Sequence, residues 1–198
     1  MILWTIQEEA VYHIIMEKGV YRCAPERIFI PECRYQYDWL VRQMEERIGP
    51  SPEGVEYPAW AWYSWEGERK KPDLRKERWG NGWKGERFVC MEIDIPENQV
   101  VLSDFDAWHF PLNNRLISYS DEEDDRLMAM YRTASAKDQK RMRESNWTRI
   151  FDIAHVNNDW ITIGESIQAT FWELRKEQVR KYGSLLRRNR SRDRDMWK

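Results

Sequence analysis

"ILWTIQEEAVYHIIMEKGVYR" (residues 2–22) decides the fold of this chain. Residues 2–6 are short, apolar and β-branched enough to form a strand. In residues 8–18, Ala10, Val11, Ile14 and Ile15 recur at helical spacing, with Lys18 in the last turn. Gly19, just beyond, is the residue type that closes a helix. "VYRCA" then reads as a second short strand, which Pro25 ends. The stretch is not expected to be a targeting segment. A signal peptide needs a basic start and a long apolar run, whereas here the run stops at Ile6 and Gln7, Glu8 and Glu9 follow.

The rest of the chain continues in the same mixed style. Residues 35–48 place Tyr37, Leu40, Val41, Met44 and Ile48 on one helical face, and "GPSPEG" (49–54) stops that helix. "YPAWAWYSW" (57–65) alternates like a strand and is aromatic on both faces. Residues 66–86 form a polar, glycine-bearing excursion, read as a loop. "RFVCMEIDIP" (87–96) is a strand, and "VVLSDFDAWHF" (100–110) follows at once. Residues 121–132 and 136–146 are helical, each preceded by a serine able to cap it, Ser120 and Ser135. "SIQATFWEL" (166–174) reads as a strand followed by a turn, with a helix over 167–182 as the competing reading. "MEIDIPENQV" (91–100) and "WELRKEQV" (172–179) echo each other: a strand end with Glu, a short polar turn, then Gln-Val. The fold class is therefore α+β, a single domain over residues 1–182 with a small split antiparallel sheet and flanking helices. Residues 183–198 read as a basic, flexible tail.

Composition narrows the partners. Lys and Arg total 32 against 34 Asp and Glu, so no global charge draws the chain to nucleic acid. Three cysteines at irregular spacing, Cys23, Cys33 and Cys90, fit a reduced, cytoplasmic protein. No run of apolar residues is long enough to span a membrane. Twelve tryptophans are an excess, and part of them is available to line a groove for a flat ligand.

Several blocks carry polar groups that suit chemistry. Thr5 and Gln7 place a hydroxyl and an amide beside an expected helix N-terminus, a setting that holds a ribose or a phosphate. The other reading of Thr5 is an ordinary strand residue. In "LSDFDAWHFPLNN" (102–114), Asp104, Asp106 and His109 have the oxygen and nitrogen mix of a metal site. The alternative has Ser103 and Asp104 capping the next segment and Asn113-Asn114 making a turn, and no metal is expected. "RWGNGWKGER" (78–87) lacks the spacing of a phosphate-binding loop. Trp79 and Trp83, with Arg78, Lys84 and Arg87, form either a clamp for a nucleotide or a single-stranded nucleic acid, or a hairpin tip. Cys90 lies in a strand and is expected to be buried and inert.

"LWTIQEEAVYHIIMEKGV" resembles the first motif of ADP-ribosyltransferase domains. There a strand ends in Leu-Trp/Tyr-His-Gly, a short helix follows and a Gly-Leu closes it. Thr5 aligned with that histidine brings Gly19 onto the closing glycine. In the family the histidine holds the nicotinamide-side ribose of NAD; a threonine donates one hydrogen bond without imidazole geometry. "YPAWAWYSW" is similar to the second motif, which implies that Trp62 or Tyr63 stacks the nicotinamide. "ESIQATFWEL" is similar to the third, a late strand headed by a catalytic glutamate. Its heading position holds Gln168, with Glu165 and Glu173 as the carboxylates on either side. A positive charge develops on the ribose, which a carboxylate stabilises and an amide does not. Over nearly its full length the chain also resembles an uncharacterised bacterial domain family, with LWTIQ, YPAWAWY, LSDFDAWH…LNN and IQATFWEL blocks in this order.

The transferase resemblance implies an NAD-binding protein, with NAD as substrate, that modifies a protein or nucleic-acid target. It places Thr5, Gln7, Trp62 and Tyr63 on NAD and Gln168, Glu165 or Glu173 at the anomeric carbon. Asp104, His109, Asn113, Trp79 and Trp83 would rim the substrate cleft. It further implies a toxin or phage-defence setting, with an antitoxin or other partner protein. The alternative expectation is a non-catalytic nucleotide, RNA or peptide binding module with an aromatic groove.

Overall fold

The opening stretch folds as a strand, a helix and a second strand: β1 (Ile2–Glu8), α1 (Glu9–Lys18) and β2 (Val20–Arg22). The structure is a computed structural model that describes residues 1–23, 31–72 and 87–186. Gly19 closes α1 as expected. Its φ of 80° is left-handed, and its N–H donates to Ile15 O at 2.9 Å. β1 is two residues longer than its propensity suggests. The cause is tertiary: β4 (Arg87–Asp94) pairs with every residue from Ile2 to Glu8, and this ladder holds Gln7 and Glu8 extended. Gln7 is therefore a strand residue, one position before Glu8, the N-cap of α1, and its amide donates to Thr5 Oγ1 at 2.9 Å. No side chain caps α1.

Downstream elements follow the same logic. α2 (Arg34–Ile48) buries Gln36, Trp39, Leu40 and Met44, a face turned slightly from the expected one because Trp39 is taken into the core. The aromatic strand is β3 (Ala59–Ser64). β5 (Val101–Asp104) runs straight into α3 (Phe105–Leu112). α4 (Asp121–Thr133) and α5 (Ala136–Asn146) start where their serines suggest. Ser120 Oγ accepts from Glu123 N, and Ser135 Oγ from Asp138 N, both at 3.2 Å. The short strands β6 (Val156–Asn157) and β7 (Thr162–Ile163) pair as a ribbon. The late segment is β8 (Ile167–Phe171), β9 (Glu173–Arg175) and β10 (Val179–Leu186), which excludes the competing helix over 167–182. β10 pairs with β4 as far as Leu186, so the sheet reaches into the stretch read as a tail.

Six strands make one antiparallel sheet in the order β10-β4-β1-β3-β8-β5, and β2 pairs with β9. The chain is thus mixed α and β around a sheet larger than expected. One face packs on α1: Leu3, Ala61, Met91, Ile93, Ala169 and Phe171 meet Val11 and Ile15. The other face carries Trp60 and Val101 against Trp39, Leu40, Trp108, Trp147 and Ile150 of α2, α3 and the 3₁₀ turn at Trp147–Phe151.

The two halves of the sheet meet at a narrow seam. Between β1 and β3 one pair stands in register, Trp4 opposite Trp62. Side chains hold the seam on either side of that pair. Thr5 Oγ1 donates to Trp60 O at 2.7 Å and accepts from Gln7 Nε2 at 2.9 Å. Arg69 donates to Tyr63 O and, at 3.0 Å, to Ile2 O.

A second tie closes the far edge. Asp104 is fully buried, and its carboxylate accepts from Ala107 N and Gly164 N, both at 2.7 Å. Gly164 suits this place: its φ is 87°, and a Cβ there would stand 2.7 Å from His155 Cα. Burial pushes the Asp104 carboxyl above its ordinary range, while the two N–H donors pull the other way.

Two outcomes follow. Thr5→Val keeps the shape but strips Trp60 O and Gln7 Nε2 of a partner, and urea unfolding should show a loss of about 1–3 kcal/mol. A neutral result would mean the hydroxyl does not bridge the seam. Asp104→Asn should lose a similar amount, about 1–3 kcal/mol, because one N–H donor is left without an acceptor. Asp104 has a raised folded pKa, so its linked stability is full below the unfolded carboxylate range and lost as pH rises through the folded value. Unfolding series from acidic to neutral pH should show the margin of wild type over Asp104→Asn shrinking as pH rises.

Candidate functional site

The three strands that bear the motifs are neighbours: β1, β3 and β8 lie side by side. Register then lines up one row across four strands. Trp4 faces Trp62, Trp62 faces Gln168, and Gln168 faces Ser103. Side chains alternate along a strand. Trp62, Gln168 and Ser103 thus share the face of Trp60 and Val101, towards α3. Thr5 shares the opposite face with Leu3, and Tyr63 packs on the cluster that holds Leu3. The structure brings the motif strands together but divides their side chains between the two faces of the sheet.

On the α3 side, Trp62 is largely buried, with the Trp65 ring at 4.5 Å and the Phe105 ring at 5.1 Å between centroids. Its faces are committed to packing. Beside it, Gln168 Oε1 and Ser103 Oγ are shielded from solvent and have no hydrogen-bond partner among the described residues. His109 Nδ1 lies 2.9 Å from Phe105 O, one turn back along α3. Asn113 Nδ2 donates to His109 O at 2.8 Å at the other end of that helix from Asp104. Asp104 spends both oxygens on backbone N–H groups, so the capping reading holds for it. Among the described residues, no three His, Cys, Asp or Glu side chains gather as a metal site needs.

On the α1 side, Thr5 is buried and its hydroxyl is committed at the seam. Tyr63 is different. The register of β3 on β8 slips between Trp62 and Ser64, so Tyr63 sits at a bulge, a device that re-aims a side chain. Tyr63 is half-buried, and the Arg69 guanidinium lies over its ring, 3.6 Å from the centroid. The same guanidinium is 5.6 Å from the Trp4 ring. A planar cation between two carbonyls and two aromatic rings is a recognisable receptor geometry.

The two candidate carboxylates lie beyond opposite ends of β8. Glu173 is in β9, where Arg22 holds one oxygen at 3.1 Å and Arg175 the other. It is neutralised and belongs to the β2–β9 ribbon. Glu165 precedes β8, with its carbonyl accepting from Gly67 N at 2.8 Å. Trp79 and Trp83 lie outside the described residues, as do Arg78 and Lys84. Cys90 is buried as expected, and burial pushes its thiol up to about 11. The residue that sequence reasoning missed is Arg69. It sits in the charged run "EGERKK" (66–71), where nothing in the pattern separates it from its neighbours.

The described residues contain no helix long and apolar enough to cross a membrane. No curated protein and no solved structure matches the chain. The domain of unknown function DUF3841 matches residues 2–180. The full-length resemblance of the four sequence blocks is thereby accounted for, and the chain belongs to the DUF3841 family.

Proposed function

We propose that this domain is a non-catalytic binding module that takes the flat, cationic nicotinamide end of NAD at the β1–β3 seam. One observation carries the reading: the Tyr63 ring, at a bulge beside the seam, stacks a planar cation, the Arg69 guanidinium. The oxidised nicotinamide ring is also flat and positive, so it satisfies the same face by the same quadrupole attraction. Ligand binding would displace Arg69. The adjacency of β1, β3 and β8 supports an ADP-ribosyltransferase-like strand arrangement as the scaffold.

Chemistry argues for binding over catalysis. Gln168 is neutral and lies across the sheet from Tyr63 and Thr5, so it brings no charge to a ribose held at the seam. Glu173 is held by two arginines. The transferase reading, with its protein or nucleic-acid target and its toxin or defence setting, retains Glu165 as the carboxylate at the Gln168 end of β8.

Calorimetry on the whole chain should show oxidised NAD binding more tightly than NADH, whose dihydronicotinamide ring is uncharged. Tyr63→Ala should weaken NAD by roughly tenfold, within the range for a lost stacking partner. Absence of NAD binding, or equal affinity for the two redox forms, would overturn the stacking role. Incubation with labelled NAD and cell lysate should transfer no label. Transfer that Glu165→Gln abolishes would establish the transferase instead.

A further inference from the structure

The echo between residues 91–100 and 172–179 is not used by the seam. Both copies fold as a strand, a 3₁₀ turn and a strand: Glu97–Gln99 joins β4 to β5, and Lys176–Gln178 joins β9 to β10. Each turn ends in Gln-Val. The two turns meet at one cleft of about 230 Å³. Gln99, Gln178 and Arg175 line its polar side, and Ile48, Phe171 and Trp172 its apolar side. The apolar wall is fixed, since Trp172 Nε1 donates to Gly49 O at 3.1 Å.

Size, charge and hydrogen bonding define the occupant. Cofactor clefts usually run from about 300 to 1,000 Å³, and this one is smaller. Its volume equals about seven or eight waters, which suits one ring system and not a dinucleotide. Charge is balanced within the lining: its one guanidinium, Arg175, pairs with its one carboxylate, Glu173. A net anion therefore finds no uncompensated guanidinium. Gln178 Oε1 accepts from Arg175 N at 2.8 Å, which fixes the orientation of its amide. Gln99 is exposed at the mouth. Gln99 offers a donor and an acceptor side by side, the complement of a heterocyclic base edge, and Gln178, with its oxygen on Arg175 N, adds its Nε2 donor.

We infer that this cleft binds a neutral nitrogen heterocycle of the nucleobase class, with its polar edge on Gln99 and Gln178 and its ring against the apolar wall. The site is separate from Tyr63 and does not rest on the NAD reading.

Ligand-observed NMR and calorimetry on the full chain test it, with adenine, hypoxanthine and uracil, their nucleoside monophosphates, and benzoate. At least one base should bind, its monophosphate should differ less than about threefold, and benzoate should not bind. Gln99→Ala, at an exposed position, should weaken the base by roughly fivefold to tenfold, the effect of one hydrogen bond. Tyr63→Ala should leave base binding unchanged, which separates this cleft from the seam. No base binding at millimolar concentration, or an unaltered affinity in Gln99→Ala, overturns the inference. So does tighter binding of the monophosphates or benzoate, which would make the cleft an anion site.

Discussion

The seam between β1 and β3 is the constraint on which the rest depends. Elsewhere the strands are joined by longer ladders, such as the pairing of β1 with β4 from Ile2 to Glu8. At the seam one backbone pair remains, and the Thr5 hydroxyl and the Arg69 guanidinium satisfy carbonyls that a ladder would otherwise pair. A carbonyl shielded from water is costly to leave without a donor, so the Thr5 bond to Trp60 O is a structural requirement, whereas the Arg69 bonds are exposed and water can replace them. Thr5 is a tie in the sheet, and Tyr63 is the aromatic beside the seam whose ring meets the charged Arg69 guanidinium.

Acidic groups are spent in the same way. Asp104 is buried and joins β5, α3 and Gly164 through backbone N–H groups. Glu173 closes the β2–β9 ribbon between two arginines. Glu123 accepts from Arg149 at 2.7 Å at the base of α4, and that hydrogen bond holds its carboxyl below the ordinary range. These three carboxylates are thereby engaged in structure.

The likeness to a transferase motif is informative in where it stops. It correctly joins a strand, a short helix and a closing glycine, because those follow from periodicity and from the left-handed conformation at Gly19. It also selects three strands that the sheet sets side by side. The side chains it aligns are divided between two faces, and a linear comparison has no access to that division. One residue of offset in a strand sends a side chain to the other face. Trp62 and Tyr63 show the consequence: adjacent in sequence, one is packed among aromatics and the other stacks a cation.

Local rules determined much of this protein without reference to its tertiary structure. The first strand and helix, the serine caps of α4 and α5, and the paired Gln-Val turns all depend on groups a few residues apart. Their physics is complete within a short window. The tertiary structure decided what depends on distant partners. β4 holds Gln7 extended, Arg69 bridges two strands that it belongs to neither of, and Arg22 reaches across the chain to neutralise Glu173. It also brought Gln99 and Gln178 to one cleft. These outcomes are set by which backbone groups lack a ladder partner and which charges must be balanced when buried. Both quantities exist only once the sheet has closed on its two cores.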